Sequence, residues 1–195
     1  GISYTYWVKA VSRLHTTGLS TYDKGWRSHP APSEVTASDG SSSDGVIIQW
    51  NAVDGALKYE VWRNDMESTE GAKREIATAD ASVCVVTNTS AKPGVRYWFW
   101  VRTVSATGTG VFSVSDDGFR AVTAPTNLKA TDGVSYDSVR VTWSAATGAE
   151  SYEVCRLATN DHCVAETNVF TVTGTIFDDT NAIPGVVYSY WARTI

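Results

Sequence analysis

An all-β chain of tandem β-sandwiches is what this sequence predicts, and three observations predict it. Val, Thr, Ser, Gly, Tyr and Trp dominate the 195 residues, while Met occurs once. Short apolar alternations are separated by Asp-Gly, Pro-Gly and Thr-Gly pairs, which are strand and turn signals, and no stretch keeps a helical period over three turns. The chain also repeats itself. Residues 35–63, VTASDGSSSDGVIIQWNAVDGALKYEVWR, align with residues 128–156, LKATDGVSYDSVRVTWSAATGAESYEVCR, at an offset of 93. Asp39/Asp132, Asp44/Asp137, Trp50/Trp143, Gly55/Gly148, Tyr59/Tyr152 and Arg63/Arg156 fall in register. A second block occurs three times, as SYTYWVKAVS (3–12), VRYWFWVRTVS (95–105) and VVYSYWARTI (186–195). A period near ninety residues with several short strands per unit is that of tandem sandwiches.

Composition supports real cores and excludes some partners. Hydrophobic residues make up 43% of the chain and charged residues 19%, with a net charge of -5 and no block of Lys or Arg. A nucleic-acid or acidic-membrane surface therefore has no electrostatic basis. No apolar run reaches bilayer length, and the start, GISYTYWVKAV, lacks the basic, apolar and small-residue order of a signal peptide. The expectation is a soluble segment without a membrane span, any export signal lying outside it.

Trp50 or Trp143 in a second strand, Tyr59 or Tyr152 in a third, and Pro-Gly-x-x-Tyr (Pro93 to Tyr97, Pro184 to Tyr188) leading into a long strand resemble the fibronectin type III pattern. The run Ser113 to Arg120, echoed by Tyr22 to Arg27 and followed by Ala-Pro, is similar to repeats of large secreted or surface bacterial proteins. The resemblance implies seven-stranded sandwiches with partial repeats at both ends. Residues 1–28 correspond to strands F and G of one repeat. Residues 29–122 are a complete repeat, with A at 33–38, B at 46–52, C at 57–63, C' at 73–77, E at 83–87, F at 95–105 and G at 111–117. Residues 123–195 carry strands A to F of the next. The resemblance specifies fold and says little about function.

Most motifs have structural readings. Trp50 and Trp143 are expected between the sheets, where truncation costs about 3 to 5 kcal/mol. The resemblance gives Tyr97 and Tyr188 the corner role, a hydroxyl bonded back to backbone. Strand parity puts Tyr97, Phe99 and Val101 on one face and Trp98, Trp100 and Arg102 on the other. Trp62, Trp100, Arg102, Trp191 and Arg193, with Trp7 and Lys9 in the first copy, thus form an outward face. Its main reading is solvent-facing stacks that reinforce the sheet, and its sharper reading is a carbohydrate platform, although no converging polar groups are evident. Cys155 and Cys163 flank a short loop and are expected to form a hairpin disulfide, leaving Cys84 as an inward thiol. His162 beside Cys163 shows no zinc spacing. Asp39, Asp44, Asp132 and Asp137 fit turn chemistry, with a calcium site open, and Asn88-Thr89-Ser90 fits a glycosylation sequon.

No nucleophile elbow, metalloprotease helix, phosphate loop or Arg-Gly-Asp occurs. The expected function is a non-enzymatic, cofactor-free extracellular or cell-surface spacer or adhesive segment whose copies associate head to tail into a fibre. The alternatives are a carbohydrate- or protein-binding module and an accessory region of a secreted hydrolase.

Overall fold

A computed structural model describes residues 2–67, 73–158 and 168–195, and sixteen strands account for all its regular structure. Among these residues no helix is long and apolar enough to cross a membrane. Contacts divide the chain into two compact units. One comprises Gly1–Asp39, Gly45–Ala91 and Arg96–Phe119; the other comprises Gly40–Asp44, Lys92–Val95 and Arg120–Ile195.

The first unit opens with a hairpin of β1 (Ser3–Tyr6) and β2 (Asp23–Trp26), with Tyr4 opposite Gly25 and Tyr6 opposite Asp23. Its complete sandwich follows. The strands β3 (Thr36–Ala37), β4 (Val46–Gln49) and β7 (Val85–Asn88) form one layer in the order β3-β4-β7. The facing layer has the order β10-β8-β5-β6, from β5 (Lys58–Asn64), β6 (Arg74–Asp80), β8 (Arg96–Ser105) and β10 (Asp116–Phe119). The strand β9 (Gly108–Phe112) also pairs with β8. In the strand lettering above these layers are A-B-E and G-F-C-C', with strand G broken into β9 and β10. At the break the Ser113 hydroxyl oxygen accepts the Val101 amide at 3.0 Å.

Alternation fixes which side of each strand is core. Val46, Ile48 and Trp50 face Tyr59, Val61, Tyr97, Phe99 and Val101, all buried, with Cys84 and Val86 packed at the margin. The rings of Trp50 and Tyr59 meet edge to face at 5.3 Å, and the Tyr59 hydroxyl accepts the Val53 amide at 2.7 Å. Strand β3 crosses close over β10: the Asp116 carboxylate accepts the Ala37 amide at 2.8 Å, and a Cβ on Gly118 would lie 2.7 Å from the Ser38 carbonyl. Only glycine admits that approach.

The second unit repeats this plan with fewer strands. Its layers are β11-β12-β15, from β11 (Thr126–Ala130), β12 (Val139–Ser144) and β15 (Ile176–Asp179), and β14-β13-β16, from β13 (Tyr152–Leu157), β14 (Val169–Val172) and β16 (Ser189–Thr194). Trp143 and Tyr152 reproduce the edge-to-face pair at 5.4 Å, and the Tyr152 hydroxyl accepts the Ala146 amide at 2.9 Å. The offset of 93 thus carries over to individual hydrogen bonds.

Candidate functional site

The outward face of the β6-β5-β8-β9 sheet gathers the residues marked in the sequence. Glu60 and Trp62 come from β5, Trp100 and Arg102 from β8, Phe112 from β9, and Lys73 lies just before β6. Trp62 stands opposite Trp100, and Glu60 opposite Arg102. The Arg102 Nε donates to Glu60 at 2.7 Å, while its guanidinium lies 4.9 Å from the Trp62 ring centre and 4.8 Å from that of Phe112. Lys73 Nζ sits 4.5 Å from the centres of both Trp100 and Phe112. Burial under these rings lowers the Lys73 ammonium below the usual lysine pKa. Trp62 and Phe112 complete the cluster edge to face at 5.6 Å.

The expected stacking of Arg102 with tryptophan is present, but the expectation that Trp100 faces solvent is corrected. Trp100 is 1% exposed, as closed as the core residue Phe99 at 0%. Parity places it on the outer face, where the Lys73 ammonium lies over it. A ring so covered offers no flat surface to a sugar. Polar groups do converge here, contrary to expectation, but Glu60 and Arg102 are spent on each other.

The second unit has the ion pair without the ring cluster. Arg193 bonds Glu153, the counterpart of Glu60, and Trp191 is half-buried opposite Cys155, which stands where the first unit has Trp62. Cys155 is disulfide-bonded and Cys84 is a free thiol. Cys163, the expected partner, and His162 lie outside the described residues. In the hairpin, Trp7 is exposed beside Tyr22, ring centres 6.1 Å apart, and Lys9 is exposed too.

A buried polar locus at the inner end of β15 escaped the sequence reading. Asp179 is 1% exposed; both its carboxylate oxygens accept from Arg156 Nη1, at 2.8 and 2.9 Å, and it also accepts the Tyr190 hydroxyl at 2.8 Å and the Asn181 amide at 3.1 Å. Burial, then the bond to Asp179, pushes the Tyr190 phenol well above its ordinary pKa. The Tyr188 ring lies 4.9 Å from the Arg156 guanidinium, and its hydroxyl accepts the Ile183 amide at 3.3 Å, which is the corner bond. In the first unit the same positions hold Arg63, Asn88, Ser90, Tyr97 and Phe99. Arg63 lies 4.1 Å from the Tyr97 ring centre and reaches Asn88 Oδ1 at 3.5 Å. Burial lowers the Arg63 pKa. A tyrosine with a carboxylate in one repeat is thus a phenylalanine with an amide in the other. The available signal was parity: Asp179 follows the inward Phe177 by two, so a charged residue sits in an inward register.

Asn88 is 5% exposed with its Oδ1 held by the Ser90 amide at 3.1 Å, so the sequon points inward. Among the described residues no group of three or more His, Cys, Asp or Glu is placed to hold a metal ion. Asp44 and Asp137 instead donate their amides to Ser42 and Ser135, both at 3.1 Å, in matching turns.

Residues 30–115 match the family model described as fibronectin type III domain. An amylopullulanase of Thermoanaerobacterium saccharolyticum is 37% identical over 83 residues, covering 42% of this chain and 6% of that protein. Among solved structures, a two-domain fibronectin type III segment of chicken tenascin aligns with a TM-score of 0.65 at 19% identity, over 85% of this chain and 91% of that one. A Fn3-like protein from Clostridium thermocellum aligns with a TM-score of 0.43 at 26% identity, over 48% of this chain and 95% of that one.

Proposed function

We propose that this chain, a run of tandem fibronectin type III β-sandwiches, is a non-enzymatic extracellular spacer within a larger secreted or surface protein. The observation that carries the reading is the outer face of the complete repeat. Its cations lie over its own rings, Arg102 is paired with Glu60, and Trp100 is closed. Such groups stiffen a sheet from outside instead of presenting a ligand site. The test is a glycan array and a hydrolase panel on the purified chain, with Trp62→Ala beside it. Silence throughout is expected; hydrolysis, or glycan binding lost in Trp62→Ala, would overturn the reading.

The likeness to amylopullulanase favours a second reading, in which the repeats are accessory domains of a secreted polysaccharide hydrolase. The match spans only 6% of that relative, so its whole-protein activity is not carried over to this chain. Pull-down on insoluble starch separates the two: retention of the isolated chain supports the accessory role, and its absence leaves the spacer.

A further inference from the structure

Both sandwiches carry the same arginine between their layers, but only the second gives it a counter-charge. Arg156 lies against both carboxylate oxygens of Asp179, at 2.8 and 2.9 Å. In the first sandwich Asn88 stands where Asp179 does. The Ser90 amide donates to Asn88 Oδ1 and the Asn181 amide to Asp179 Oδ1, both at 3.1 Å, so the two side chains match atom for atom. The other Asp179 oxygen, which takes Arg156 and the Tyr190 hydroxyl, is therefore the amide nitrogen in Asn88. That nitrogen is buried and has no acceptor. Arg63 is left with two long contacts to neutral oxygens, 3.5 Å to Asn88 and 3.4 Å to Ser90.

A second cation deepens the imbalance. Arg74 on β6 stands directly opposite Arg63 on β5, where like charges repel. At the corresponding place in the second sandwich there is the neutral Asn168, whose carbonyl accepts the Arg156 amide at 3.0 Å. Among the described residues neither Arg63 nor Arg74 has an ion pair. Burial lowers the Arg63 pKa and the charge of Arg74 adds to this, while Tyr97 and Asp65 act the other way. Two guanidiniums and an amide nitrogen thus have donors to spare and no acceptor of matching charge. Arg63 is half-buried and Arg74 exposed, so the place is reached from solvent on the Arg74 side.

We propose that the complete repeat binds a tetrahedral oxyanion, sulfate or phosphate, which bridges Arg63 and Arg74. Planar guanidiniums present paired N–H donors that match two oxygens of such an ion. Its charge supplies to Arg63 what Asp179 supplies to Arg156. This goes beyond the spacer reading, which stands with or without the ion.

Titration of the full chain with sodium sulfate, and separately with sodium phosphate, at constant ionic strength tests it through the guanidinium N–H resonances. The Arg63 and Arg74 signals are expected to shift and saturate together, with Arg156 unmoved. Arg74→Gln, a change at an exposed side chain, is expected to weaken binding roughly tenfold or more, the worth of hydrogen bonds to a charged group. Asn88→Asp is expected to abolish it, because that variant installs the carboxylate of the second sandwich beside Arg63. Circular dichroism checks that both variants fold. Shifts that never saturate, that Arg156 shares, or that persist unchanged in both variants would mean an adventitious ion only and overturn the proposal.

Discussion

Trp50 lies between the two layers and Trp100 on the outer face of its sheet, yet they are buried alike, at 4% and 1%. Trp100→Ala is therefore expected to destabilise as Trp50→Ala does, each by about 3 to 5 kcal/mol, since either leaves a ring-sized hole. Urea denaturation of the two variants checks this; a Trp100 loss near 1 kcal/mol would mean that its cover is loose. At Asp179 the cost comes from charge. Asp179→Ala strands the Arg156 guanidinium, 13% exposed, and is expected to cost about 3 to 5 kcal/mol. Tyr190 adds a dependence on pH. Its folded pKa is raised, so the stabilisation is complete below the ordinary tyrosine value of about 10 and is lost as pH rises beyond it. Ultraviolet titration, with Tyr190→Phe as control, should place this phenol's ionisation above the ordinary tyrosine value of about 10. Ionisation near that value would remove the effect.

The strands show how far the sequence reading reached. Order and facing of β4, β5, β8, β12, β13 and β16 follow from period-two alternation and the offset of 93, because inward residues must meet across the layers whatever the loops do. Break points were harder. The break between β9 and β10 falls where the Ser113 hydroxyl accepts the Val101 amide, a contact that no local pattern announces. The cover over Trp100 was illegible for the same reason: Lys73 arrives from the segment just before β6, so exposure inferred from parity alone put the ring in water. Asp179 was legible by parity and was missed because charged residues are not expected inside. Ser113→Ala is predicted to cost about 1 kcal/mol while keeping both segments paired, measurable as faster amide exchange at Val101.

At the scale of the molecule, each sandwich has its own tryptophan-tyrosine centre. Calorimetry of Trp50→Ala and Trp143→Ala is expected to lower one melting component each and leave the other in place. A shift of both components in either variant would show that the sandwiches melt as one. Tandem repeats with similar strands also risk trading pieces while they fold. The pairing of Asn88 with Phe99 in one interior and of Asp179 with Tyr190 in the other works against this. A β8 that strayed into the second sandwich would set the phenyl of Phe99 against the Asp179 carboxylate, withdrawing one of its hydrogen bonds where no water replaces it. A β16 that strayed into the first would set the Tyr190 hydroxyl against the neutral Asn88 amide, whose Oδ1 is already taken by Ser90, and lose its charge-assisted bond to Asp179. Two neighbouring repeats thus carry different internal passwords, and the polar residue hidden in each acts as proofreader of its own assembly.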